Sequence, residues 1–237
     1  NYLAKKSVMV EEPAPKGTLP TGSHVVLEPD GMALLKDAGV PVPAFRFVKE
    51  EADVAKACEE IGYPICIKVV SPDIIHKSDF GGVKLNIKNA DEAIAAYHHM
   101  QKISEGLDFR GIIVYPMLKM GTEVILGLTR DVQFGPVIVF GLGGIYSEVL
   151  KDIVLRVAPV NKDQAMEMIQ SIKAYPILKG IRGQAGADLD SLADAIVAFS
   201  RLPFEYPDIN EADLNPVSAG SDGCVVVDAR ILGKKQK

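Results

Sequence analysis

Hydrophobic residues recur along this chain with two different spacings. Apolar residues three or four positions apart predict helices, as in "EEADVAKACEEIG" at 50–62. Short apolar runs bounded by Gly, Pro and polar residues predict strands, as in "YPICIKVV" at 63–70. The predicted helices are 28–39, 50–62, 89–104, 161–174 and 188–202. The predicted strands are 40–48, 63–70, 81–87, 110–118, 122–130, 135–143, 147–160, 211–219 and 223–231.

The predicted strands come in consecutive groups rather than in strict alternation with helices. This order is typical of an α+β fold. We expect an extended N-terminal arm over 1–24, where prolines are frequent, a smaller α+β lobe over 25–111 and a larger one over 112–237. No internal repeat is visible.

The composition narrows the class of protein. The 237 residues carry a formal net charge of −5, so no general attraction to nucleic acid is expected. The three cysteines form no C-x-x-C pair, so their spacing favours neither a zinc site nor a disulfide framework. The start of the chain does not resemble a signal peptide, and the apolar run near 135–146 is short and broken by glycines. We therefore expect a cytoplasmic protein with neither a nucleic-acid nor a membrane partner.

The usual phosphate-binding motifs are absent. The sequence has no G-x-x-x-x-G-K-[ST], and "GLGG" at 141–144 is not a G-x-G-x-x-G followed by a clear helix. A nucleotide, if one binds, must be held by another arrangement.

Lys68 is unusual because it lies inside an apolar strand. Strand alternation places it on the face of Cys66 and Val70, opposite Ile65 and Ile67. A lysine there must reach water or meet an anion. An ordinary solvent-facing lysine and an anion-binding lysine are both consistent with the local pattern.

Three hard-oxygen side chains occur near the C-terminus. Asp213 and Asn215 are two residues apart in "EADLNPV" and so share one strand face, and Asp228 follows in "VVVDAR". If 216–224 forms a turn, Asp228 faces them, and the set suits Mg²⁺ with bound phosphates. Cross-strand hydrogen bonding near a turn is the alternative interpretation.

The stretch "SPDIIHKSDFGGVKL" at 71–85 lies between two predicted strands. A turn requires glycines such as Gly81 and Gly82, but it does not require the preceding pair His76 and Lys77. On the local pattern alone, His76 is also consistent with a solvated histidine in a turn.

Four segments together resemble a known family: "GYPICIKVVSPDIIHKSDFGGVKL", "EVILGLTRDVQFGPVIVFGLGG", "ILKGIRG" and "EADLNPV…VVVDAR". They resemble the ATP-grasp subunit of ADP-forming acyl-CoA synthetases, most closely the β subunit of ADP-forming acetyl-CoA synthetase. A more distant resemblance is to the β subunit of succinyl-CoA synthetase. The similarity covers roughly 20–235. It implies an ATP-grasp fold with the nucleotide bound between two α+β lobes.

The resemblance implies that His76 is a phosphohistidine. Imidazole nitrogen is first a nucleophile and then a leaving group for the phosphoryl group. It also implies nucleotide contacts by Lys68, Lys77, Glu123 and the backbone of a hinge at Tyr115 and Met117. Asn215, Asp228 and Asp213 correspond to magnesium ligands. Further contacts to phosphate or to a histidine loop are implied at Gly81, Gly82, Gly143, Gly144 and Arg182.

The implied reaction is acetyl-CoA + ADP + phosphate = acetate + CoA + ATP, with Mg²⁺ as cofactor. We expect the CoA site on a separate CoA-binding α subunit, in a heterotetramer. Two alternatives stay open at this point. One is a scheme like that of succinyl-CoA synthetase, without a β-chain phosphohistidine, and the other is a non-catalytic regulatory ATP-grasp module.

Overall fold

The computed structural model describes residues 10–19, 24–144, 152–181 and 185–234. None of the helices in these ranges combines the length and the hydrophobicity needed to cross a lipid bilayer.

The first part of the chain builds a helix-covered sheet. Asn89 caps one of its helices by accepting a hydrogen bond from the backbone N–H of Glu92. Gly39 and Gly62 follow two other helices with φ of +85° and +86°, values that suit glycine. The elements are β1 (Val25–Val26), α1 (Glu28–Asp37), β2 (Arg46–Val48), α2 (Val54–Ile61), β3 (Ile65–Val70), β4 (Val83–Ile87), α3 (Ala90–Ile103) and β5 (Gly111–Pro116).

Strands β2, β5, β3 and β4 form an antiparallel sheet in that order, called the small sheet below. The alternation predicted for β3 is confirmed. Ile65 and Ile67 pack in a core with α2 and α3, whereas Cys66 and Val70 belong to a second core that continues into the rest of the chain. The face that carries Lys68 is therefore enclosed between two layers.

The second part of the chain builds a larger sheet covered by helices. Its elements are β6 (Thr122–Asp131), β7 (Gly135–Leu142), β8 (Ile153–Val157), α4 (Lys162–Ser171), α5 (Tyr175–Leu178), α6 (Leu189–Glu205), β9 (Ile209–Gly220), β10 (Gly223–Val226) and β11 (Ala229–Gly233). Among the described residues, the strand order of this large sheet is β1-β11-β9-β6-β7-β8, with β10 also paired to β9. Its core includes Leu126, Phe140, Ile169 and Phe199, all fully buried.

The sheets do not follow the predicted division at residues 111 and 112. Strand β5, placed by prediction in the larger lobe, pairs with β2 and β3 of the small sheet. Strand β1 and helix α1, placed in the smaller lobe, lie against β11 of the large sheet. Sequence order could not reveal this exchange, because β1 pairs with a strand at the other end of the chain.

Several predicted boundaries also change. The strand expected over 40–48 is regular only at Arg46–Val48, because Pro41 and Pro43 have no N–H to donate. The strand expected over 223–231 divides into β10 and β11, and the turn expected over 216–224 is confined to 221–222. The helix expected over 161–174 ends at Ser171.

The described part of the arm, 10–19, has no regular secondary structure. Its backbone N–H groups at Lys16 and Gly17 donate to the carbonyl of Glu205, at the end of α6. Lys16 also forms an ion pair with the buried Glu205 carboxylate at 3.0 Å. The arm is thus attached to the large sheet's helical layer.

Candidate active site

Lys68 lies on β3 between the two sheets and is only 6% exposed. Its ammonium group donates to Oδ1 of Asp228 at 2.6 Å, to the carbonyl of Val227 at 2.8 Å and to Oε1 of Glu28 at 3.0 Å. The interpretation as a solvent-facing lysine is therefore wrong. The anions that Lys68 meets are carboxylates of the protein itself, and its contact with a nucleotide stays a prediction. Because Asp228 belongs to the large sheet's side, the lysine joins the two layers.

Glu28 is a central residue of this cluster that the sequence analysis missed. It begins helix α1, directly before Pro29, and is 5% exposed. Besides its contact with Lys68, Glu28 accepts a hydrogen bond from the hydroxyl of Tyr115 at 2.7 Å. It also forms an ion pair with Lys77 at 3.0 Å. A Glu-Pro pair signals a helix start, but nothing local indicates that the carboxylate is buried.

The charges of this cluster balance. Two carboxylates, Glu28 and Asp228, meet two ammonium groups, Lys68 and Lys77. Burial alone would raise the pKa of Glu28, but the two lysines and the Tyr115 hydroxyl outweigh it and hold that pKa below its usual value. Burial would lower the pKa of Lys68, but the two carboxylates raise it above the ordinary value. Both groups therefore stay charged at neutral pH.

The two candidate functional residues of the loop 71–82, His76 and Lys77, differ in exposure. His76 is exposed, whereas the Lys77 side chain is 13% exposed and points to Glu28. The loop is closed by a hydrogen bond from Gly82 N–H to the Lys77 carbonyl at 2.7 Å. Between 73 and 80, Ile74 is the other side chain directed inward, at 3% exposure.

The two glycines at the end of the loop are required by its geometry. Gly81 has a φ of +75°, where glycine is favoured. A Cβ at Gly82 would lie 2.5 Å from Cγ1 of Val69. The ring Nε2 of His99, on α3, lies 3.2 Å from the Gly81 carbonyl, a contact that the helical pattern does not indicate.

The proposed metal ligands lie on β9 and directly before β11 of the large sheet. Asp213 and Asn215 share a face of β9, and the backbone N–H of Asn215 donates to the carbonyl of Asp228 at 3.2 Å. Burial raises the pKa of Asp213 against the opposing effect of Arg230, and the nearby Glu211 and Asp228 carboxylates raise it further.

Mg²⁺ prefers oxygen ligands and retains several waters, so two carboxylates and a carboxamide fit it. Within the described ranges, no group of three or more His, Cys, Asp or Glu residues is arranged to hold a metal, and the set of Asp213, Asn215 and Asp228 stays a prediction. In this arrangement Asp228 is paired with Lys68.

The predicted hinge residues have different surroundings. Tyr115 is 3% exposed, its ring lies 5.1 Å from the Lys68 ammonium, and its hydroxyl is used by Glu28. The backbone N–H of Met117 donates to the Pro64 carbonyl, so this donor is not free to read a base. The structure thus brings Tyr115 into the charged cluster through its side chain rather than through its backbone.

Glu123 lies at the start of β6, next to the GLGG segment. Its backbone carbonyl accepts from Gly143 N–H at 2.8 Å, and its Oε2 would lie 2.9 Å from a Cβ at Gly144. A Cβ at Gly143 would lie 3.0 Å from backbone atoms of Glu123 and Val124, and Gly144 has a φ of +72°, so both positions favour glycine. Arg182 lies outside the described residues.

Comparisons with known proteins place these observations in a family. A family model described as an ATP-grasp domain matches residues 17–232. The chain is 48% identical over 211 residues to the acetate–CoA ligase [ADP-forming] I subunit beta of Pyrococcus furiosus, covering 87% of this chain and 91% of that protein. It is 41% identical over 221 residues to the acetate–CoA ligase [ADP-forming] I of Archaeoglobus fulgidus, covering 92% of this chain but 32% of that longer protein.

Two solved structures of the dinucleotide-forming acetyl-coenzyme A synthetase 1 of Ca. Korarchaeum cryptofilum are similar along almost the whole chain. One contains coenzyme A and Mg-AMPPCP, with a phosphohistidine segment pointing towards the nucleotide binding site; it has a TM-score of 0.80 and 38% identity, covering 90% of this chain and 94% of that one. The other contains a phosphorylated phosphohistidine segment in a site I orientation; it has a TM-score of 0.82 and 37% identity, covering 89% and 94%.

The resemblance and the fold class predicted from the sequence are confirmed by these matches. The chain belongs to the ATP-grasp family, in the group that contains the β subunits of ADP-forming acetate–CoA ligases.

Proposed function

We propose that the chain is the nucleotide-binding β subunit of an ADP-forming acetyl-CoA synthetase. The complete reaction is acetyl-CoA + ADP + phosphate = acetate + CoA + ATP, and it is reversible. The observation that carries the proposal is the loop 71–82: His76 is exposed at its tip, while the next residue, Lys77, reaches the Lys68 and Asp228 cluster. The 48% identity to a named β subunit supports the same assignment.

His76 relays the phosphoryl group. The phosphohistidine of the partner subunit transfers its phosphoryl group to an imidazole nitrogen of His76. The N–P bond to His76 forms as the N–P bond in the partner breaks. The phosphoryl group then passes to the terminal phosphate oxygen of ADP, so that an O–P bond forms, the N–P bond breaks and neutral imidazole is restored. Exposure of His76 supports both steps, since a buried imidazole could not reach two sites. The two named orientations of the phosphohistidine segment in the Korarchaeum enzyme are consistent with such movement there.

Lys68 and the oxygen ligands act on the nucleotide's phosphates. Lys68 supplies a positive charge near the transferring group, and because its three N–H groups already donate to Glu28, Asp228 and the Val227 carbonyl, a direct bond to phosphate would replace one of these contacts. Asp228 and Asn215, with Asp213 beside them, would hold Mg²⁺, and that ion would neutralise phosphate charge when bound. The charge of Glu28 keeps Lys68 protonated and directed into the space between the sheets.

The partner is a CoA-binding α subunit, and the assembly is a heterotetramer in the cytoplasm. The name of the Pyrococcus protein, a subunit beta, supports the existence of a partner subunit. The Archaeoglobus protein also supports it, because this chain matches only 32% of that longer protein. Acyl-group selection would belong to the α subunit.

ATP formation by the complex with its α subunit tests the relay. The chain should be co-expressed with the CoA-binding partner, and ATP production from acetyl-CoA, phosphate and Mg·ADP should be followed. His76→Ala should abolish turnover while leaving ADP binding intact. His98→Ala is a matched control, because His98 is an exposed histidine on α3 paired with Glu51. Normal ATP production by the His76→Ala complex would instead favour a scheme like that of succinyl-CoA synthetase, and nucleotide binding without turnover in the native complex would favour a regulatory module.

A further inference from the structure

The centre of the His76 loop reaches the charged cluster through Lys77, while at the start of the loop the Asp73 carboxylate accepts a hydrogen bond from the backbone N–H of Asp108 at 2.8 Å. Between residues 73 and 80 the side chains are exposed except for Ile74 and Lys77. Lys77 extends inward, and its ammonium lies 3.0 Å from Oε2 of Glu28 and 3.9 Å from Oδ1 of Asp228. Because Lys77 directly follows His76, its position decides where the histidine can be.

Lys77 and Lys68 contact different oxygens of the Glu28 carboxylate. Oε1 accepts from Lys68 at 3.0 Å and from the Tyr115 hydroxyl at 2.7 Å. Oε2 faces Lys77. When Lys77 leaves, the buried carboxylate still has a charged partner and a hydrogen bond, so the departure does not leave an unpaired buried charge. The contact is therefore suited to repeated release.

The space around the contact is narrow. A cavity of about 40 Å³ lies beside Glu28, Lys77, Asp228 and Ile74, which leaves room for only a few water molecules. A water-poor site strengthens an ion pair relative to one at the surface. The docked loop thus has a defined, partly desolvated contact rather than a loose surface one.

We propose that Glu28 is the docking receptor for the His76 loop, and that Lys77 and Glu28 are positioning residues that hold His76 at the nucleotide end of its path. This inference rests on the proposed function, and it assigns Lys77 to loop docking instead of to nucleotide binding. Release of Lys77 from Glu28 frees the loop to carry His76 to the partner subunit. Lys68 remains on Glu28 throughout and stays aligned for the nucleotide.

The test uses Lys77→Met in the complete complex with the α subunit. Lys88→Met is the control, because Lys88 is an exposed lysine just beyond β4. Single-turnover phosphorylation of His76 from Mg·ATP should slow by about tenfold to a hundredfold, the range expected for loss of a charge-assisted contact. Removal of that phosphate by the partner subunit with acetate and CoA should keep its rate, because the loop is then undocked. Lys77→Arg should restore part of the slowed step.

Two further readouts separate docking from nucleotide binding. Affinity for Mg·ADP should change less than about twofold in Lys77→Met, far below the loss expected for a phosphate ligand. Amide hydrogen exchange over 76–82 should accelerate in Lys77→Met and in Glu28→Gln, but not in Lys88→Met.

The outcomes are distinguishable. A loss of ADP affinity in Lys77→Met, with unchanged loop exchange, would overturn the proposal and make Lys77 a nucleotide ligand. Unchanged phosphorylation and unchanged loop exchange would also overturn it. If the native complex never carries phosphate on His76, the proposed function fails, and loop exchange alone then decides whether Glu28 docks the loop.

Discussion

Neutralising Glu28 should destabilise the protein strongly, although the side chain's shape is kept. Glu28→Gln removes the negative charge that faces Lys68 and Lys77 at 3.0 Å each. Removing one partner of a buried ion pair costs about 3–5 kcal/mol, because the other charge stays buried. Lys68 retains Asp228 at 2.6 Å, and the Gln oxygen can still accept a hydrogen bond. We therefore expect a loss of about 3 kcal/mol, at the lower end of that range.

The loss of stability caused by Glu28→Gln should be larger at neutral pH than in acid. The pKa of Glu28 is lower in the folded protein than its usual value, so its carboxylate stabilises the fold above about pH 4.3. That contribution disappears as the pH falls through the lowered pKa. The difference between the native protein and Glu28→Gln should thus be full at pH 7 and should shrink in acid.

Urea unfolding followed by far-ultraviolet circular dichroism measures this difference. Glu60→Gln is the matched control, since Glu60 pairs with Arg46 at the surface, where both side chains are about half exposed. An exposed pair contributes little because water screens it, so the control should unfold near the native midpoint. Equal midpoints for the two variants at pH 7, or a Glu28→Gln deficit that grows in acid, would refute this account of the buried cluster.

Three further predictions concern the site. Lys68→Met should weaken Mg·ADP binding by about tenfold to a hundredfold by calorimetry, through loss of a charge-assisted contact; unchanged affinity would mean that Lys68 serves stability alone. Asn215→Ala and Asp228→Ala should shift the Mg²⁺ concentration needed for half-maximal turnover upward and lower the maximum; an unchanged magnesium profile would exclude the metal assignment. Gly82→Ala should displace the loop, because its Cβ would lie 2.5 Å from Val69, and should slow phosphoryl transfer more than it lowers the melting temperature.

Local patterns predicted much of the molecule correctly. Alternation along β3 placed Lys68 on the right face, and the spacing of Asp213 and Asn215 placed both on one face of β9. The loop that carries His76 also lies between the two strands where the sequence indicated it. In each case the evidence lies within a few neighbouring residues, whose geometry is set by the strand repeat.

The remaining features depend on residues distant in sequence. Glu28 meets Lys68 40 positions later and Tyr115 87 positions later, so no local pattern could reveal its burial. Pairing of β1 with β11 joins the two ends of the chain for the same reason. The contact of the Tyr115 hydroxyl with Glu28 was not predicted for the same reason, whereas the backbone role that the resemblance implies for Tyr115 stays a prediction.

The central claim is that His76 carries the phosphoryl group. The native complex and a His76→Ala complex should each be incubated with Mg·ATP labelled on the γ-phosphate, and the labelled peptides should be identified by mass spectrometry under alkaline conditions. We predict label that is stable in alkali and labile in acid, located on His76, released as ATP when Mg·ADP is added, and absent from the variant. Label confined to the partner subunit, with ATP still formed by the His76→Ala complex, would contradict the claim.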